Sequence, residues 1–381
     1  MNDVSKYIIV GAGILFIFIT IFNVYKVINS FSQTVAFKIA GDPGKIGVFD
    51  PTIEFAADDK TGYMAYASIK ASETNGLPLI SVNLAASNDG GEDWIYRKSV
   101  FEGKTGSMTQ RIDGRLVEAD GNWRYEMPTL VYTPGDQGRE WKLYVYRYFW
   151  NGDLNLARQT GTISYKYASD PTGEWSEEKW LFSANQNNPP SPYNRLVLLH
   201  VNVLSPQNLQ NVIAYSDPGA FYKDGTLYIT LSAYTNDLIR PERVIMISSN
   251  DYGASWKYVG SVFSRYDLAG LGDFTTFSGG QIFEKAGQPY LAMSLGDDIY
   301  NGYETRIFAF ADLKNGVLAR NGKGIPMGQG GIELSTENLS RLGGGPADYD
   351  EKAKVGLLIS RMTTSQERAF QIGNYGHDFL D

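Results

Sequence analysis

The stretch Ser216 to Tyr234, SDPGAFYKDGTLYITLSAY, is one complete unit that the rest of the chain repeats in variant form. Asp217-Pro218 opens it, Ala220 to Tyr222 is a short apolar strand, Lys223-Asp224-Gly225 is a hairpin turn, and Thr226 to Ala233 alternates as a second strand.

Four other segments follow the same plan: FDPTIEFAADDKTGYMAYAS from Phe49, YEMPTLVYTPGDQGREWKLYVYRYF from Tyr125, FSGGQIFEKAGQPYLAMS from Phe277 and GGGPADYDEKAKVGLLIS from Gly343. Their starts lie about 60 to 90 residues apart, wider than the roughly 40 to 50 residues of common propeller repeats, so the surplus belongs to loops. Five such units predict an all-β chain closed into a five-bladed β-propeller over residues 48–381. The 25 Tyr, 19 Phe and 7 Trp suit face-to-face strands, and no long helical pattern competes outside the N-terminus.

Tyr7 to Tyr25 is an uncharged apolar run flanked by Lys6 and Lys26. A helix from Lys6 to Ile28 would measure about 34 Å, enough to cross a hydrocarbon core of about 30 Å. A transmembrane anchor over residues 1–28 is therefore expected, with Tyr7 and Tyr25 at the interfaces and the lysines reaching outward. Its apolar region is too long for an ordinary cleaved signal. Residues 29–47, ending in GDPGKIG, read as a linker. Lys6 on one side against Lys26 and Lys38 on the other gives no orientation by charge.

The chain has no cysteine and two histidines, His200 and His377, which removes thiolate chemistry and most zinc and redox-metal schemes; no cofactor or metal is expected. A net charge of −8 without a basic stripe argues against nucleic acid.

Ser87 to Trp94, SNDGGEDW, and Ser249 to Trp256, SNDYGASW, share the pattern Ser-x-Asp-x-Gly-x-x-Trp. The aspartate can accept backbone N–H bonds, glycine takes the left-handed conformation and tryptophan packs back on the sheet. These segments resemble the Asp-box of sialidases and related propellers, and Ala168 to Trp175 resembles the shorter version in five-bladed glycosidases. The resemblance implies a turn-shaping role for Ser87, Asp89, Gly91, Trp94, Ser249, Asp251, Gly253 and Trp256, and for Asp170.

Chemistry, if present, belongs where the first strands of the blades converge, at Asp50, Glu126, Asp217, Ser278 and Gly343 to Gly345. Asp50-Pro51 and Asp217-Pro218 resemble the openings of the five-bladed furanosidase-type glycoside hydrolases, the arabinanase/β-xylosidase and invertase groups. That resemblance implies Asp50 as base or nucleophile, Asp217 as the second aspartate, and a glutamate in the next blade as acid. Ser278 stands where that glutamate is expected, and a serine hydroxyl cannot replace a tuned carboxylic acid. Glu126, in YEMPTLVY, resembles the invertase Trp-Glu-Cys-Pro acid motif but falls one blade early. A structural alternative is that the three carboxylates bond to strand-end amides, water or a cation.

Insertions are expected at Ile95 to Arg124 and Ser176 to Tyr215, the second carrying LVLLHVNVL from Leu196 to Leu204 as a buried strand. Two functional readings follow. The first is a membrane-anchored extracytoplasmic, periplasmic-type, non-catalytic accessory or scaffolding subunit whose partners are the lipid bilayer and integral membrane subunits of a larger complex. The alternative is a membrane-tethered glycoside hydrolase or carbohydrate-binding protein, with Asp50, Glu126 and Asp217 as its site.

Overall fold

The structure, a computed structural model, describes residues 35–56, 60–112, 115–182, 200–235, 240–296, 304–328, 347–362, 370–377 and 379. The expected span with Lys6, Tyr7, Tyr25 and Lys26 lies outside them, as do Gly343 to Gly345. Among the described residues no helix is long and apolar enough to cross a membrane.

Two short strands come first, β1 (Val35–Ala36) and β2 (Ile39–Ala40). Blade 1 is β3 (Gly47–Phe55), β4 (Gly62–Ala71), β5 (Pro78–Ser87) and β6 (Trp94–Phe101), each antiparallel to the next. In blade 2, β7 (Lys104–Ile112) pairs with the early part of the long strand β8 (Arg115–Tyr132), which is followed by β9 (Trp141–Trp150), β10 (Thr162–Ala168) and β11 (Lys179–Phe182). Blade 3 is β12 (Ala214–Lys223), β13 (Thr226–Tyr234), β14 (Arg243–Ser249) and β15 (Lys257–Ser264). Blade 4 is β16 (Thr276–Lys285), β17 (Gln288–Gly296), β18 (Glu304–Asp312) and β19 (Val317–Leu318). Blade 5 contributes β20 (Ala347–Asp348), β21 (Leu358–Met362) and β22 (Phe370–Asn374). The protein is thus an all-β, five-bladed propeller.

Both expected insertions contain blade structure. Ile95 to Arg124 includes most of β6, all of β7 and the start of β8, and Ser176 to Tyr215 includes β11. The described end of the expected Leu196–Leu204 strand, His200–Leu204, is a 3-10 turn instead. It buries Val201 between blades 2 and 3, so its apolar character reflects packing and not strand pairing.

Segments within the expected 29–47 linker belong to the ring. β1 adds an outermost strand to blade 5 by pairing with β22, and Phe37 N–H donates to Ile372 O at 2.9 Å. β2 then runs parallel to β6, the outer strand of blade 1. This strap joins the last blade to the first. Asp42 pins its far end by accepting the Tyr66 and Ser68 hydroxyls and the Asn83 amide. Beneath it, Ile39, Phe55, Trp94, Val355, Leu358 and Ile372 form one apolar cluster across the closing seam.

The Asp-box segments are rim turns. The Asp89 and Asp251 carboxylates accept the Ser87 and Ser249 hydroxyls, both at 2.7 Å, and Gly91 and Gly253 have φ of 91° and 95°. The Trp94 indole N–H reaches Gly91 O at 2.8 Å.

Neighbouring blades are laced by side chains that accept N–H groups from the next blade's innermost strand. Asp348 takes Ile53 N–H at 3.0 Å, Asp350 takes Phe55 N–H at 2.9 Å, Thr52 takes Leu130 N–H at 3.1 Å, and Thr129 takes Ala220 N–H at 2.8 Å. Innermost strands have a free edge whose donors would otherwise be buried without acceptors. This lacing has a pH consequence at Asp348, whose carboxyl burial pushes up to about 7 against its hydrogen bonds from Ile53, Thr52 and Tyr349. Such a group holds its proton more tightly folded than unfolded, so its stabilising contribution is full below about pH 3.8 and is lost as the pH rises through about 7. Asp348→Asn keeps an acceptor for Ile53 and should flatten the fall of the urea midpoint across that window. An unchanged slope would contradict the assignment.

Candidate functional site

The site begins with a fault in strand pairing repeated in four blades. On the innermost strands β3, β8, β12 and β16, pairing slips between Phe49 and Thr52, Glu126 and Thr129, Ser216 and Gly219, and Ser278 and Gln281. Within each slip one residue has positive φ: Asp50 at 51°, Met127 at 53°, Asp217 at 54° and Gly279 at 80°. The next residue is Pro51, Pro128, Pro218 or Gly280. Proline has no N–H to leave unpaired, so it suits the skipped place.

This register corrects one expectation. Asp50 and Asp217 are equivalent, but their counterpart in blade 2 is Met127; Glu126 sits one residue earlier, at the place of Phe49, Ser216 and Ser278. Glu126 in blade 2 and Ser278 in blade 4 therefore occupy the same register position.

The two aspartates are tied into the ring. Asp50 Oδ2 accepts Met127 N–H at 3.2 Å and Oδ1 accepts the Ser360 hydroxyl at 3.3 Å. Asp217 Oδ2 accepts Gly279 N–H at 3.3 Å and the Ser278 hydroxyl at 3.0 Å. Asp50 is 1% exposed and Asp217 4% exposed, whereas Glu126 keeps partial access to solvent. The structure brings all three into one electrostatic group. Burial pushes Asp50 well up, and Glu126 and then Asp217 add to the shift. Glu126 is also raised by burial, opposed by Arg124, a hydrogen bond with Tyr148 and Arg158, with Asp217 pushing it further up. Burial and repulsion from the neighbouring carboxylates thus favour the protonated forms of Asp50 and Glu126. Among the described residues no set of three His, Cys, Asp or Glu side chains is placed to hold a metal ion.

The sequence reading missed the groups surrounding these carboxyls. Helix α1 (Leu154–Thr160) starts on Asp153, whose Oδ1 accepts Asn155 N–H at 2.8 Å. It carries Arg158 over the rings of Tyr234 and Tyr146, at 4.8 and 5.5 Å from their centroids. Tyr146 and Tyr148 lie opposite Glu126 and Arg124 on the neighbouring strand, and their rings stack at 5.1 Å. The Tyr146 phenol is pushed up to about 12 by burial, against the nearby Arg158 charge. Tyr234 and Ser216 hydroxyls are 3.1 Å apart. The alternation of YVYRYF and the Arg124–Glu126 spacing of two are the available sequence signals, since both place side chains on one face.

A separate polar cavity of about 260 Å³ lies between the outer parts of blades 1 and 2. Phe101, Lys104, Tyr125, Lys166 and Glu178 line it, and Tyr125 donates to Glu178 at 2.9 Å.

No protein-family model matches the chain, and no curated protein matches it by sequence. Solved structures of the same architecture do. The GH32 β-fructofuranosidase of the silkworm Bombyx mori is 13% identical, with a TM-score of 0.52 over 91% of this chain and 64% of the enzyme, so this chain spans less than two thirds of that protein. A GH43 β-1,3-galactosidase solved with galactodeoxynojirimycin is 13% identical, with a TM-score of 0.50 over 88% of this chain and 93% of the enzyme. An exo-β-1,3-galactanase from Phanerochaete chrysosporium is 11% identical, with a TM-score of 0.50 over 89% and 62%. This chain therefore has the five-bladed propeller fold of the GH32 and GH43 glycoside hydrolases.

Proposed function

We propose that this protein binds a glycoside at the axial end of the propeller between blades 2 and 3 and hydrolyses it, with Glu126 as proton donor. The observation that carries the reading is the convergence of Asp50, Glu126 and Asp217 at repeated strand faults, beside Arg124, Arg158 and three tyrosines. Glu126 combines partial access with a raised pKa, the properties required of an acid that protonates a leaving oxygen. Asp217, bonded to the next blade through Oδ2, is the assigned carboxylate partner, and Asp50 helps hold the proton on the cluster. Retention or inversion depends on the carboxyl separation. The Tyr7–Tyr25 run supports a membrane tether, and an extracytoplasmic face for the propeller rests on the resemblance to glycoside hydrolases and not on the run.

A second reading is sugar binding without turnover. Ser278 at the expected acid position, with its hydroxyl given to Asp217, and the full engagement of Asp50 favour it. Among the described residues, the large exposed apolar side chains Ile95, Leu116, Trp180, Val203, Tyr266 and Val317 lie on six separate elements and so lend the accessory-subunit reading no support.

Full-length protein in detergent should be screened with aryl furanosides and pyranosides, following both release of the aryl group and binding. Turnover supports the hydrolase, and saturable binding without turnover supports the second reading. Neither binding nor turnover would overturn both.

A further inference from the structure

Arg124 is the most conspicuous group at the axial site that catalysis does not use. It is 6% exposed, yet its Nε and Nη2 have no hydrogen-bond partner in the protein. Burying guanidinium donors without acceptors is costly, and more so for a charged group than for a neutral one. These two atoms form one edge of the guanidinium fork, the edge that takes both oxygens of a carboxylate side-on. Arg147, Arg158 and Arg243 each leave only Nε in this state, so of these four arginines Arg124 alone leaves a whole edge without acceptors.

Its setting fixes that edge in place. The guanidinium lies 4.8 Å from the Trp150 ring centroid, and β8 and β9 pair Arg124 directly with Tyr148. The Tyr148 hydroxyl bonds both to the Arg124 guanidinium and to Glu126, two residues along the same strand face, which leaves Nε and Nη2 as the unpaired part of Arg124. An anion on the Arg124 edge would therefore sit beside the proposed proton donor, within one sugar residue of it.

We propose that the axial site recognises an acidic sugar, a uronic acid residue whose carboxylate docks bidentate on Arg124 Nε and Nη2. This rests on the reading of the cluster as a carbohydrate site and adds the substrate class. A planar two-oxygen anion matches the edge, and the sugar ring bearing it reaches toward Glu126 and Asp217.

The test is calorimetric titration of the full-length protein with galacturonate, glucuronate, the methyl ester of galacturonate, galactose and galactose 6-sulfate. Wild type should bind a uronate at least about 10-fold more tightly than the neutral ester or galactose, the scale of a charge-assisted bidentate pair. Arg124→Gln should abolish that preference, bringing the ratio of uronate to methyl-ester affinity to about one, and Arg124→Lys should restore only part of it. If Arg124→Gln does not fold, wild type alone decides, by the ratio of galacturonate to methyl-ester affinity, which isolates the carboxylate charge on an otherwise identical sugar. Equal affinity for uronate and ester, preference for the sulfate ester, or a uronate preference that survives in Arg124→Gln would overturn the proposal and leave the carbohydrate site standing. Absence of binding to every sugar would overturn the carbohydrate reading itself and this proposal with it.

Discussion

Glu126→Gln is expected to lower the rate of glycoside cleavage by about 10²- to 10⁴-fold, the usual contribution of a positioned general acid. Glutamine keeps the size and hydrogen-bonding capacity of the side chain beside Tyr148, so sugar affinity and thermal stability should change little. The defect should shrink for substrates with a strongly acidic phenol as leaving group, which need no proton. Because burial raises the Glu126 pKa, the protonated, active form persists above the ordinary glutamate range. Wild-type activity should therefore decline on the alkaline side as Glu126 ionises, and that limb should vanish from the variant's profile. Comparable losses for activated and unactivated substrates would point away from proton donation and toward a defect in binding or positioning.

Trp94→Ala is expected to have the largest effect on stability, about 3 to 5 kcal/mol, the cost of removing a large aromatic from a filled core. Trp94 is 2% exposed and meets elements from both ends of the chain. Phe37 of the strap lies 6.2 Å away and Phe55 of β3 6.3 Å away between centroids, and Val355 of blade 5 shares the cluster. Its loss would open a cavity at the one seam where the ring closes. Trp256 occupies the same position in the blade 3 motif but is only half-buried, and its cluster joins the consecutive blades 2 and 3, not the two ends of the ring. Trp256→Ala should cost less than Trp94→Ala in urea denaturation. Equal losses would show that the closing seam carries no special share of stability.

The blades were legible because their local signals are strong. Lys223-Asp224-Gly225 is a turn with φ of 51° at Asp224 and 80° at Gly225, and Ala286-Gly287 repeats it at 52° and 79°. The strap was not legible, because two-residue strands such as Val35–Ala36 and Ile39–Ala40 carry no periodicity and take their pairing partners from distant sequence. Asp50, Glu126 and Asp217 could be gathered from their places at the blade openings. The one-residue offset of Glu126 could not, because Met127 fills the left-handed position without a distinctive side chain. Arg158 was hidden for a different reason: α1 is a short connection, and only the fold brings its arginine over Tyr234, in another blade.

The axial location of the sugar site is tested most directly by hydrogen–deuterium exchange on full-length protein, with and without the tightest-binding sugar from the screen. Protection is predicted in peptides covering Arg124 to Met127, Tyr146 to Tyr148 and Ser216 to Asp217. Protection confined to peptides around Phe101, Lys104 and Lys166, with none at the axis, would place the sugar in the cavity between blades 1 and 2 and contradict the account.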